Sequence, residues 1–408
     1  MTRLEREERQ AMLSTIYEDI RNEYYDPKFH GLDWNAKFAE AKQNIAKANT
    51  KTEANLQIAA MLEALDDSHT HFIPPPRSVH EDYGFQYEMV GNRCFVMHVK
   101  PGSDAETKGL KRGDEVLTIN GFTPARDSLS KMKYALNVLY PQIGLRLSLR
   151  DPTGSTHNLD VMAKEKETPA ILTGVDRWRA SLTWEENRIQ EAPTWVELGD
   201  SLMILRLSNF IFSDLNAEGL IEKARTHKAL ILDLRGNPGG SVETLRHFLA
   251  GFFENDVKIG DEVKRDKTTN IATKTRHSPF TGKLFVLINS QSASAAEIFA
   301  RVIQLEKRGI VIGDISSGSV MAAQFRSHMY GTHQVLVYGS ELSVADFIMP
   351  DGKSLEHIGV TPDEKMLPSQ EDLAMNRDSV LSAAAAKAGV NLSPEKAATL
   401  FPVRWPRD

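Results

Sequence analysis

One cysteine, Cys94, in 408 residues excludes an intrachain disulfide and leaves no thiolate cluster for a metal. No apolar run approaches the ~18 residues that suggest a membrane-spanning helix. Neither sign of charge dominates: 49 basic residues face 55 acidic ones, a net −6. That balance offers no basic footprint for nucleic acid and none for a membrane surface. The opening "MTRLEREERQ" is charged and helical, with no apolar core of a signal peptide. With the cysteine count, this leans toward a cytoplasmic protein; one whose signal had been trimmed would read the same and be periplasmic or secreted. What is present is 41% apolar residues, enough for ordinary cores in two or three domains.

Residues 1–76 read as a helical segment. Leu4, Met12, Ile16, Ile20 and Tyr24 recur at helical spacing until Pro27 stops the run. Asp33 can cap a second helix with Trp34, Phe38, Ala41 and Ile45 on one face. Thr50 with Glu53 has the form of a capping box for a third. That helix runs out at "LDDSHTHFIPPP", where three prolines force an extended exit and leave a Ser-His pair at a rigid turn.

Residues 77–166 change to short strands and turns. The stretch "KGLKRGDEVLTING", Lys108 to Gly121, resembles a PDZ domain. Such domains bind the C-termini of polypeptides by adding a strand beside a carboxylate-binding loop, which would lie here at Tyr83, Gly84 and Phe85. Residues 167–366 are α/β in pattern. "DSLMILRLSNFI", "KALILDL", "GKLFVLIN" and "GIVIGD" are apolar strand runs, two of them feeding glycine or serine loops and then helices. Repetition of strand, tight loop and helix makes a layered core whose loops gather at one sheet edge. Residues 367–408, with "SVLSAAAAKAG", are expected as a helical tail outside that core.

Chemistry enters at "NSQSASAAEIFA", Asn289 to Ala300, where a buried strand hands over to a helix. A serine here can simply cap the helix. If Ser294 is a nucleophile, the Ala295 amide at the first helical turn is placed to hold an oxyanion. A second donor could come from "RGNPGG", where Gly239 and Gly240 allow close backbone approach. The base is less obvious. Lys307 lies on the same helix, several turns away. His69 and His71 are the histidine candidates, and a structural histidine is the plainer reading of either. A metal would need a third ligand, and no matching His or Glu pair at helical spacing supplies one.

The order "LDDSHT", PDZ, "LDLRGNPGG", "NSQSASAAEIFA", "LEHIGVTPD" resembles the tail-specific, or C-terminal processing, serine peptidase family over nearly the whole sequence. The resemblance implies a layered ββα core of crotonase and Clp type, and Ser294 rather than Ser292 as nucleophile. It departs from the family at one place. Lysine-bearing members read "GEPTFGKG" where this sequence has "GDISSGSV", so Ser319 stands at the lysine position. The branch that includes the tricorn core peptidase also lacks that lysine and uses a histidine preceded by a serine, with a glutamate before "GVxPD". Matching residues here are His69, Ser68 and Glu356; Glu356 could otherwise be a surface carboxylate, and His71 is left as structural or rim.

The resemblance therefore implies a serine endopeptidase with Ser294, His69, Ser68 and Glu356 as its relay. Gly239 or Gly240 and Ala295 would hold the oxyanion, and the PDZ domain would bind substrate C-termini or gate the cleft. No metal or organic cofactor is expected; peptides or unfolded proteins are the expected partners, and a homo-oligomer is compatible with the sequence. A histidine base implies activity that rises through roughly pH 6–7. The alternative is a peptidase-like protein that no longer hydrolyses and holds peptides or small apolar ligands.

Overall fold

The structure, a computed structural model, describes residues 1–167, 192–274, 278–331, 335–403 and 405. Three helices open it: α1 (Arg3–Glu23), α2 (Trp34–Lys47) and α3 (Lys51–Glu63). Polar caps set their starts. Thr2 and Glu5 make a complete capping box, and Asp33 accepts from the Ala36 amide. The box expected at Thr50 is only half made. Thr50 takes the Glu53 amide, but the Glu53 carboxylate reaches past it to the Asn49 amide at 2.8 Å. Met12, Ile16, Ile20 and Tyr24 are buried with Trp34, Ala41 and Ile45 in a common core, whereas Leu4 faces solvent.

Next in sequence are β1 (His71–Ile73), β2 (Val79–Asp82), β3 (Phe85–Val90) and β4 (Arg93–Val99). There follow α4 (Asp104–Thr107), β5 (Glu115–Ile119), α5 (Leu129–Tyr134), β6 (Gly144–Arg150), β7 (Thr156–Met162) and β8 (Lys164–Glu167). Strands β3 to β7 form one antiparallel sheet in sequence order, with β3 at its edge. Phe85, Val96, Leu110, Ile119, Leu147 and Val161 fill a core of their own beneath it. Strands β2 and β8 pair antiparallel, so the backbone enters and leaves this unit side by side.

The remainder comprises β9 (Thr194–Leu198), β10 (Leu202–Arg206), α6 (Asp214–Arg225), β11 (Ala229–Asp233) and α7 (Val242–Ala250). Next come β12 (Lys258–Lys264), β13 (Thr268–Ala272), β14 (Lys283–Ile288), α8 (Ala295–Leu305) and β15 (Ile310–Gly313). The last elements are β16 (Ala322–Tyr330), β17 (Leu336–Ile348), β18 (Glu364–Lys365), α9 (Gln370–Ala374), α10 (Ser379–Lys387) and α11 (Pro394–Ala398). A six-stranded sheet runs β18-β15-β14-β11-β10-β9, parallel except for β9.

Both faces of that sheet are covered, which is why its strands read as unbroken apolar runs. Phe248, Phe299 and Ile303 from α7 and α8 pack on one face; Leu381, Ala384 and Ala385 from α10 pack on the other. A second, antiparallel sheet runs β1-β17-β12-β13 with β16 beside β17, and its Ile259 and Phe347 join the helix-side core. The result is the layered α/β architecture with an N-terminal helical segment and an inserted PDZ-type unit that the sequence led us to expect. Two consequences position the site. The loops after β11 and β14 emerge at the same sheet edge. The β1–β17 pairing, with His71 opposite Glu341, ties the Ser68–His69 turn to the strand that leads toward Glu356.

Candidate active site

Strand β14 ends at Ile288 and α8 begins at Ala295. Within that hand-over the two serines have different fates. Ser292 is fully buried and spends its hydroxyl on the backbone, donating to the Leu234 carbonyl at 2.8 Å and accepting the Asn289 amide at 3.0 Å. Ser294 sits at φ 52°, ψ −119°, a conformation that residues bearing a Cβ avoid. Its amide is held by the Ser319 carbonyl at 2.7 Å and by Glu297 Oε2 at 3.0 Å. Gly239 presses against it: a Cβ there would lie 2.6 Å from Ser294 Cβ, so the position admits only glycine.

The two loops are stitched together by Asn237, a buried residue that the sequence did not single out. Its carbonyl accepts the Ala293 amide at 2.9 Å, its Nδ2 donates to Leu207 O at 2.9 Å, and its Oδ1 accepts the Gly239 amide at 2.8 Å. That last bond decides which glycine can serve as a donor. The Gly239 amide is committed, whereas those of Gly240 and Ala295 have no hydrogen-bond partner among the described residues. An asparagine ahead of paired loop glycines was the available signal.

At the turn before β1, Ser68 Oγ lies 2.7 Å from His69 Nδ1 and 2.9 Å from Glu356 Oε2, and the Ser68 amide donates to Glu356 Oε1 at 2.7 Å. An ionised carboxylate only accepts, so the Ser68 hydrogen goes to Glu356 and the Ser68 oxygen accepts from Nδ1–H. The lone pair of His69 is then at Nε2. Only 11% of the Glu356 side group is exposed, so it is not a surface carboxylate. Buried Asp67 shapes the turn by binding Ser343, the His69 and Thr70 amides, and Tyr24. Burial works against its charge, yet bonds from Ser343, the His69 amide, Thr70 and Tyr24 hold its carboxyl below the usual range.

One peptide group links the halves. The Ser319 carbonyl accepts the Ser294 amide, and the Val320 amide of the same peptide donates to Glu356 Oε2 at 2.9 Å. The Ser319 hydroxyl itself bonds to Ser317 at 2.9 Å. Among the described residues no hydrogen bond joins Ser294 to His69, and no group of three or more His, Cys, Asp or Glu is arranged to hold a metal ion.

Glu297 is the other residue whose role the sequence concealed. It is fully buried one helical turn past Ser294. Its two oxygens accept from Ser316 Oγ (2.6 Å), Gly318 N (2.7 Å), Ser319 N (2.9 Å) and Ser294 N. Burial pushes its carboxyl up to about 7, against the pull of those four donors. A folded-state value above the unfolded one contributes stability that is fully present below about 4.5 and is lost as pH rises through about 7. Relative to Glu297→Gln, which does not titrate, the wild type should lose on the order of 3 kcal/mol across that window. Urea unfolding of both proteins from pH 4.5 to 8 measures the difference; a flat difference rules out this titration.

In the PDZ-type unit, Tyr83 and Phe85 are buried and the Gly84 amide is taken by Asp82 Oδ1 at 3.0 Å. Lys100 and Lys166 neutralise Asp82 at 3.1 and 2.8 Å. A cavity of about 90 Å³ lies between β3 and α5, lined by Tyr83, Phe85, Tyr87, Lys133, Asn137 and, from the nucleophile loop, Gln291. The β3 edge is docked on the same loop, where Ser290 donates to the Met89 carbonyl at 2.6 Å.

Scaffold and appended unit are those of the PDZ-bearing serine peptidases. Residues 202–366 match the model of peptidase family S41, residues 5–63 the tricorn protease C1 domain, and residues 75–138 the PDZ domain. The α/β core is thus similar to peptidase family S41, a family of serine hydrolases. It is 25% identical over 374 residues to the tail-specific protease of Haemophilus influenzae, covering 84% of this chain and 51% of that protein. It is 24% identical over 397 residues to carboxyl-terminal-processing peptidase 2 (chloroplastic) of Arabidopsis thaliana, covering 90% and 71%. The chain thus spans about half the length of the first relative and about seven-tenths of the second. Among solved structures, mature CPAF superposes with a TM-score of 0.67 at 15% identity, covering 91% of this chain and 94% of that one. The photosystem II D1 C-terminal processing protease gives 0.53 at 19%, covering 90% and 94%. The tricorn protease gives 0.51 at 15%, covering 93% of this chain and 37% of that one. These structural likenesses show a shared fold.

Proposed function

We propose that the protein is a serine endopeptidase whose general base is His69 rather than a lysine. In this reading Ser294 Oγ attacks a peptide carbonyl while His69 Nε2 takes its proton. The imidazolium so formed is stabilised through Nδ1–H, Ser68 Oγ and the Glu356 carboxylate, as an aspartate does in a three-residue relay. The Gly240 and Ala295 amides receive the oxyanion. His69 then returns its proton to the leaving amine, and water hydrolyses the acyl-enzyme. The observation that carries the proposal is the Ser68 hydroxyl, bonded to both His69 Nδ1 and Glu356 Oε2, because it directs the free lone pair to Nε2. The PDZ groove between β3 and α5 is proposed to take substrate C-termini, in keeping with the tail-specific and carboxyl-terminal-processing names of the relatives.

Binding without hydrolysis remains the competing reading, and the missing Ser294–His69 hydrogen bond favours it. A fluorophosphonate probe separates the two. Wild type should be labelled on Ser294, located by mass spectrometry, and His69→Gln should label far more slowly. Folded protein that stays unlabelled even with a peptide substrate present would support the binding reading. His69→Gln that labels as fast as wild type would remove His69 as base.

A further inference from the structure

Both ring nitrogens of His71 face oxygens that can only accept. Nδ1 lies 3.2 Å from Glu63 Oε1, and Nε2 lies 3.0 Å from the Ser68 carbonyl. A neutral imidazole has one N–H and would leave one of these pairs without a hydrogen; the imidazolium satisfies both. The neighbouring groups suit a cation. Glu341 stands opposite His71 in the β1–β17 register. From α5, Lys131 reaches Glu63 at 3.5 Å and Asp66 at 3.1 Å, and the Tyr134 ring packs 5.4 Å from the imidazole while its hydroxyl bonds the Phe72 carbonyl. Burial opposes charge on His71, but the Glu63 bond, the Glu341 charge and the Ser68 carbonyl outweigh it and hold its pKa above the ordinary value.

The Ser68 backbone is therefore gripped from two sides, its amide by Glu356 and its carbonyl by His71. We infer that His71, as an imidazolium, is a positioning residue for the base: by fixing the Ser68 carbonyl it keeps the Ser68 hydroxyl in line between His69 and Glu356. This rests on the reading of His69 as base. As pH rises through the raised pKa of His71, one of its two bonds must go; a lone pair set against the Glu63 carboxylate is the costlier mismatch, so the one N–H stays on Nδ1 and the Nε2 link to the Ser68 carbonyl is lost. The alkaline side of the activity profile then reports His71. Because Lys131 and Tyr134 belong to the helix that walls the PDZ groove, that groove and the base share one post.

Two variants and one spectrum test this. His71→Gln offers an uncharged NH₂ at one end only and an acceptor oxygen at the other; kcat should fall about tenfold, KM should stay within about twofold, and the alkaline limb should disappear. His71→Arg carries several donors and a permanent charge; it should recover most of kcat and move the alkaline limb upward. Nitrogen-15 NMR of the histidine rings at pH 6.5 should show both His71 nitrogens protonated, and it can be recorded on the Ser294→Ala protein, free of turnover. A neutral His71 ring at that pH overturns the inference, as does His71→Gln with wild-type kcat and an unchanged alkaline limb. A wild type that takes no fluorophosphonate while His71 is charged would instead sink the base assignment, and the positioning role with it.

Discussion

Ser294→Ala is expected to lower kcat by ~10⁴–10⁶-fold while leaving the protein folded. The Ser294 amide and carbonyl make hydrogen bonds that hold the turn, and alanine keeps both. Ser294→Gly should abolish activity equally but behave differently on unfolding. A Cβ-bearing residue held at φ 52°, ψ −119° stores ~1–3 kcal/mol of strain, which glycine releases. Glycine also loses ~0.5–1 kcal/mol through its greater freedom in the unfolded state. The balance leaves Ser294→Gly more stable than Ser294→Ala by ~1 kcal/mol. Denaturant unfolding of the two inactive proteins measures this directly. Equal midpoints would mean that the turn around Ser294 is unstrained, and residual kcat in the alanine variant would move the nucleophile elsewhere.

The second large effect is expected at Glu356. Its two oxygens accept three donors: the Ser68 amide on one, the Ser68 hydroxyl and the Val320 amide on the other. Glu356→Gln is nearly the same size but brings an NH₂ where one oxygen stood. Turned one way it opposes the Ser68 amide; turned the other it opposes the Val320 amide and makes Ser68 accept where it should donate. In that second pose Ser68 Oγ points its hydrogen at His69, which favours the tautomer with no lone pair on Nε2. Loss of an equivalent carboxylate in a three-residue relay costs ~10⁴ in kcat, and Glu356→Gln is expected to cost ~10²–10⁴. KM should change little, because Glu356 faces the relay rather than the substrate. A kcat within about twofold of wild type, in a protein with normal unfolding, would show that His69 works without it.

The candidate site residues were marked in the sequence by their motifs. Ser68, His69, Ser294 and Glu356 stand in short motifs, and the structure brings three of the four into one hydrogen-bonded set. The parallel strands were equally plain, since burial on both faces writes Ala229–Asp233 and Lys283–Ile288 as apolar runs. The second sheet was not. Strand β16 turns Arg326 and His328 toward Glu23 and Asp19 of α1, so an ion pair and a hydrogen bond occupy positions where alternation would show apolar residues. Asn237, Glu297 and Asp67 were hidden for a related reason. Their work is to satisfy backbone amides, and no spacing rule in a sequence says which amides a fold will leave orphaned. The half-made box at Thr50 shows the same limit: the motif was present, and the carboxylate chose the amide one residue earlier.

The amide between Ser319 and Val320 has an orientation, and both halves of the machinery depend on it. With its carbonyl toward Ser294 and its N–H toward Glu356, every polar contact is complementary. A half-turn of this one plane would set oxygen against carboxylate and N–H against N–H, breaking the contacts to Ser294 and Glu356 together. The placing of Ser294 and of Glu356 is therefore one decision of the backbone and not two, because both hydrogen bonds hang on the same peptide plane.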